Sequence, residues 1–377
     1  MKVLLVAAFA LACHANLSAQ TPGDSLQPRI DERVELLSIA YRLAVPAQNN
    51  ESLNPIYAHA VDEHFHPHSK HPFIVYIRKL AKAAKNEGND LGSWEIPSLA
   101  LHVGPAPQFE PLVGAQRLPN ASKGWDDRTL LTPKFLSLLR RFYTDAGCES
   151  FLEKQRPYYR FVDEEYEKKG TRINQAWFQA FFSLPSTETY YPIISLLGIG
   201  SGDYIRVDFP GNRRNTHTLF ASAAFDNRGI PADVADPRIT RANLHEYTHA
   251  FANQLVDRNL LKLKPYAEQI LSNAKVSALM KGTFYGNSTF LLYESLVRAC
   301  VIEYLAENGQ ADAAKLELRA QERAGFFWIS GLVDLLNSYR FQRQSYEDLS
   351  HFMPNIVQYF ERTAREMNLG NFSFPAK

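Results

Sequence analysis

The stretch STFLLYESLVRACVIEYLAENG, residues 288–309, places a carboxylate where it cannot stand alone. The segment reads as a helix, started by Asn287 or Ser288 and stopped at Asn308-Gly309. Glu294 sits at its middle, flanked by Leu291, Leu292, Leu296, Val297, Val301 and Ile302. Burying an isolated carboxylate is costly, so the chain must fold in a way that brings this side chain a partner. Arg298 lies four residues on, in the favourable orientation for a helical ion pair. A metal ion would serve as well. The two are compatible, because a ligating carboxylate is often held from behind by a second group. Glu303 is the competing acid, but it stands nearer the helix end, where exposure is expected.

A metal needs more donors than one, and ADPRITRANLHEYTHAFANQLVD, residues 235–257, offers them. Asp236 is a suitable N-cap and Pro237 suits the first helical position. Leu244, Tyr247, Phe251 and Leu255 form one apolar stripe at helical spacing. His245 and His249 are four apart, so successive turns put both imidazoles on one side, close enough to share an ion. Glu246 sits one position round, where it can reach a water on that ion without ligating it. A catalytic zinc ordinarily takes three protein ligands and leaves a fourth position for water. A purely structural helix would carry the same cap and stripe, so a third ligand is what separates the two cases.

HEYTH followed, 45 residues after His249, by the glutamate of YESLVRA resembles the gluzincin branch of zincin metallopeptidases. The chain also resembles an uncharacterised family of secreted bacterial proteins that combine HExxH with a YES-x-VRA-type helix. The close match covers residues 236–309. The resemblance implies a zincin-like fold with a small mixed sheet before the HExxH helix. It implies that His245, His249 and Glu294 bind one Zn2+ ion, with Glu246 as general base and later proton donor on a peptide or protein substrate. It also implies that THTLFASAAF, residues 216–225, is the edge strand that lines up the peptide. A donor for the tetrahedral intermediate is expected among Tyr285, Tyr293, His217 and His351. The Gly-Ala-Met-Glu-Asn stretch of aminopeptidases is absent, as is the third histidine of metzincins.

The rest of the chain sets bounds on this. With 377 residues, 45% of them hydrophobic, there is ample material for one large core or two smaller ones. Lys+Arg is 41 against Asp+Glu 40, a formal charge of +1, which argues against a nucleic-acid partner. MKVLLVAAFALACHANLSAQ reads as a signal peptide cleaved after Ala19, with lipid attachment at Cys13 the lesser alternative. The mature chain is therefore expected in the periplasm or outside the cell, with no stable membrane insertion. After cleavage Cys148 and Cys300 remain, as one bridge or as two buried thiols.

Periodicity gives an α+β chain. Residues 31–45 have helical spacing, 73–90 begin like a strand and end like a helix, and 133–170 read as one or two amphipathic helices. Residues 190–209 and 216–226 suggest sheet, and after Pro231 the chain reads as helical nearly to its end. Five prolines in 93–125 suggest an irregular connection and a hinge between an N-terminal lobe (20–125) and a zincin-like catalytic region (126–377).

Other motifs carry less. Five histidines in HAVDEHFHPHSKHP, residues 59–72, match no defined ligand spacing, so surface histidines or a pocket wall compete with a second metal site. GIGSG, residues 198–202, lacks the spacing of a phosphate loop and reads as a turn. Two rivals to a peptidase remain: a secreted binding protein on a catalytically inactive zincin-like scaffold, and a metal-dependent amidohydrolase acting on non-peptide substrates.

Overall fold

A computed structural model describes residues 28–46, 54–86, 91–92, 95–112, 131–169, 173–183, 188–199, 203–210, 213–220, 225–232 and 237–375. The expected leader, the lobe boundary at 125 and the Asp236 cap lie outside these residues. The described residues form thirteen α-helices and a four-stranded mixed sheet, an α+β architecture.

The N-terminal part is β1 (Arg29–Ile30), α1 (Glu32–Ala44), α2 (Pro55–Phe65), α3 (Pro72–Asn86), α4 (Glu95–Leu101), α5 (Pro133–Asp145) and α6 (Cys148–Lys169). Side-chain caps start these helices: Asp31 for α1, Asn54 before Pro55 for α2, and Thr132 before Pro133 for α5. Two expectations fail here. The apolar run FIVYI does not open a strand, because α3 is helical from Pro72. Five consecutive apolar residues hide a 3.6-residue period, and only Phe73, Ile74, Ile77 and Ala84 are buried. Arg78, on its outer side, donates to the Leu43 and Ala44 carbonyls at the end of α1. The stretch at 93–125 is also not wholly irregular. Pro97 lies in the first turn of α4, where its missing N–H costs nothing, and that helix is buried from Ile96 to Leu101.

After α7 (Gln175–Phe182) come β2 (Glu188–Ile194), β3 (Asp203–Asp208) and β4 (Arg214–Phe220). The sheet order is β1-β2-β4-β3, with β1, β2 and β4 parallel and β3 antiparallel to β4. The strand that carries Thr216, β4, is therefore internal and not an edge; the edges are β1 and β3. Hairpin return places β3 on the outside of β4, an arrangement that spacing along the chain does not encode.

The sheet separates two apolar cores. Ile193, Ile205, Val207 and Leu219 join α1–α6 in the first. Tyr190 and Tyr204 point the other way, into the second. That second core is built from α7, α8 (Pro237–Ser272), α9 (Ala274–Met280), α10 (Ser288–Glu307), α11 (Ala311–Arg323), α12 (Ile329–Phe341) and α13 (Leu349–Asn368). Cys148 belongs to the first core and Cys300 to the second, and both are free thiols. No helix among the described residues is long and apolar enough to cross a membrane.

Candidate metal centre

α8 buries the expected stripe: Leu244, Tyr247, Phe251 and Leu255 are all in the second core. Phe251 packs against Tyr190 of β2 and Phe178 of α7, with ring centroids 4.5 and 4.9 Å away. This fixes the rotation of α8 and turns its opposite side, bearing His245 and His249, toward α10. Asn287 caps α10 by accepting from the Thr289 and Phe290 amides, and α10 lies against α8 with Glu294 facing the two histidines.

The three side chains meet. His245 Nε2 and His249 Nε2 are 3.1 Å apart. His245 Nε2 lies 3.4 Å from Glu294 Oε2, and His249 Nε2 lies 3.4 Å from Glu294 Oε1. This is the one group of His, Cys, Asp or Glu among the described residues whose donor atoms converge as a metal site requires. Glu303, the competing acid, is buried elsewhere on α10 beside Glu307 and Arg340.

Each member is held from behind. Asn253, one turn after His249, places Oδ1 3.0 Å from its Nδ1. An acceptor there keeps the proton on Nδ1 and leaves the Nε2 lone pair facing Glu294. Arg298 donates to Glu294 Oε2 from Nε at 2.9 Å and from Nη2 at 2.6 Å. Its guanidinium also donates to the Tyr285 hydroxyl at 3.0 Å and to Gln321, and it lies over the Phe326 ring. Gln321 donates to Glu317, which pairs with Arg241 at 3.1 Å, so α11 ties the back of α10 to the start of α8.

Burial would raise the Glu294 carboxyl, but hydrogen bonding to the two histidines holds it far below the ordinary range. Burial lowers His245. It also acts to lower His249, where the Glu294 carboxylate outweighs it and the net shift is upward. Glu246 is half-buried and has no hydrogen-bond or ion-pair partner among the described residues. Desolvation pushes its carboxyl up to about 7, and nearby Glu294 adds to that. Such an arrangement can bind a cation and leave an unengaged carboxylate beside it to accept a proton.

Of the four candidate donors, Tyr285 alone belongs to this network. Tyr293 donates to Asp257 on α8. His217 stacks on Tyr191 and lies on the sheet face of Ile205, away from α8, near Asp31, Arg33 and His102. His351 is more than half exposed in the first turn of α13, paired with Asp348. The histidines at 59–71 do not converge either: His64 bonds the Ala146 carbonyl and His71 meets Asp145, at the corner between α5 and α6. Asn253 escaped sequence reasoning, although its i+4 position after His249 carried the signal.

Fold and site together define an α+β protein with a two-histidine, one-carboxylate centre competent to hold a metal ion. Residues 29–359 match the model of the family described as a domain of unknown function, DUF4932, and the chain belongs to that family. No curated protein and no solved structure matches the chain.

Proposed function

We propose that this protein is an exported zinc metallopeptidase. The observation that carries the proposal is the convergence of His245, His249 and Glu294, with Glu246 next to them and unpaired among the described residues. Two imidazoles and a carboxylate are a donor set that suits zinc, and bonds of ~2.0–2.1 Å in a tetrahedral site put donor atoms about 3.3 Å apart. The donor separations of 3.1 and 3.4 Å fit that spacing. Export is supported by the apolar leader ending near Ala19.

When bound, zinc supplies Lewis acidity that polarises a carbonyl and acidifies water. Asn253 and Arg298 hold the ligands in orientation. Glu246 takes the proton of the attacking water and delivers it to the departing amine as the peptide bond breaks. Tyr285 accepts from the Arg298 guanidinium, which also lies over its ring.

A second reading has an observation in its favour. Arg298 already satisfies Glu294 Oε2, so His245, His249, Glu294 and Arg298 form a closed polar cluster that a non-catalytic binding protein could keep. Metal analysis separates the two. Purified protein should carry about one zinc per chain. His249→Ala should lose it, and parent protein without zinc counts against the proposal. Glu246→Gln should keep the zinc and lower cleavage of a peptide library by about 10²- to 10⁴-fold. Undiminished cleavage would remove Glu246 from its role. A protein that holds zinc but hydrolyses only non-peptide amides would narrow the activity to an amidohydrolase.

A further inference from the structure

The edge strand β3 carries an arginine that has no counter-ion among the described residues. Ile205 and Val207 point into the first core, so alternation turns Tyr204 and Arg206 to the face that looks on α8 and α10. The Arg206 guanidinium lies over the Tyr204 ring, 5.0 Å from its centroid, with Nη2 3.5 Å from the Tyr204 hydroxyl. Its Nε is buried and meets no acceptor. No carboxylate among the described residues lies within ion-pair distance of it. Other half-buried arginines are satisfied, among them Arg33 by Asp31, Arg241 by Glu317, Arg298 by Glu294, and Arg343 by backbone carbonyls. A buried guanidinium donor left open is costly unless something supplies an acceptor.

Its place in the molecule says what that is. Tyr293, the residue before Glu294, feels the charge of Arg206 at its hydroxyl, and that hydroxyl is given to Asp257 of α8. Asp257 stands eight residues beyond His249, about 12 Å along the helix at ~1.5 Å per residue. Roughly three to four extended residues cover that span at ~3.3 Å each. β3 packs on α8, so a chain whose peptide bond sits at the triad and which runs along α8 toward β3 would meet Arg206 a few residues away. Asp257 uses Oδ1 for Tyr293, and neither of its oxygens lies within ion-pair distance of Arg206. The fork of a guanidinium matches a carboxylate, through two parallel N–H donors, better than any other group a peptide carries.

We propose that Arg206 selects substrates that present a carboxylate a few residues from the scissile bond, as an acidic side chain or as a free chain terminus. This rests on the peptidase reading above. The test uses zinc-loaded, full-length mature Glu246→Gln protein, so that binding is read without cleavage. Four randomised octapeptide pools are offered to it on a column. Their C-termini are acid or amide, and their acidic residues are either present or replaced by the corresponding amides. Pools bearing the recognised carboxylate should be retained about 10-fold or more over their amide counterparts, the range of a hydrogen bond to a charged group. The pool that loses retention identifies the source of the carboxylate. Adding Arg206→Gln should abolish the discrimination, while Arg206→Lys, which keeps charge and stem but not the fork, should retain part of it. Equal retention of all pools, no retention of any, or a preference that survives Arg206→Gln overturns the proposal. Carboxylate-selective retention by a protein whose parent form cleaves no peptide would instead overturn the peptidase reading and leave a carboxylate-binding site.

Discussion

Asn253 and Arg298 show how much of a metal site lies outside its ligands. His249 can offer Nε2 because Asn253 occupies Nδ1, and Glu294 can remain ionised in an apolar helix because Arg298 holds Oε2. Substituting such supporting groups commonly lowers metal affinity by about 10- to 100-fold. Asn253→Ala should fall in that range when zinc is titrated against a competing chelator, with the helix content unchanged. Affinity equal to the parent's would mean that the imidazole is oriented by packing alone. Glu246, His245, His249 and Glu294 were all readable from spacing and from the cost of a buried carboxylate. Arg206 was not, since nothing in DYIRVD tells which face of the strand meets the helices or that no acid will lie opposite.

Between elements, α10 carries the heaviest duty. It packs on α8 through Glu294 and receives the Trp328 indole N–H on Ser295 from the start of α12. Its first turn depends on Asn287, whose side chain answers two amide donors that the helix cannot. Asn287→Ala should therefore cost about 1 kcal/mol of stability, read as a lower urea midpoint with an unchanged slope. A neutral result would show that water caps the helix equally well. The limits of α10 matched its sequence signals, since Asn287 and Asn308 are indeed its caps. α3 did not, because a short run of β-branched and aromatic residues fits a strand and a buried helical turn equally well. Packing on α1 and α5 resolves it, and that packing involves residues far along the chain.

Across the whole molecule, the sheet joins two cores, and Glu35 fastens one of its turns. Fully buried on α1, Glu35 accepts the Leu196 amide on Oε1, the Tyr57 hydroxyl lies beside the carboxyl, and Oε2 meets no donor in hydrogen-bonding geometry among the described residues. Desolvation lifts its carboxyl from 4.5 to about 8. Between those values the folded chain keeps a proton that the unfolded chain has released. The contribution to stability is thus complete below about pH 4.5 and is lost as pH rises through about 8, at up to ~1.4 kcal/mol per pH unit. Glu35→Gln mimics the neutral acid. Its stability should lose less than the parent's between about pH 5 and pH 8 in paired urea titrations; parallel curves would show that Glu35 is not protonated in the fold.

By itself the sequence determined the two helices that bear the site, the cap of α10, and the two imidazoles and one carboxylate that meet. Those follow from local periodicity and from the penalty on a lone buried charge, both of which act within a few turns. Tertiary structure alone decided that β3 forms an edge, that His217 lies behind the sheet, and that Arg206 overlooks α8 without a counter-ion among the described residues. Strand order and burial depend on contacts between distant segments, and hydrophobic alternation is the same whichever neighbour a strand finally takes.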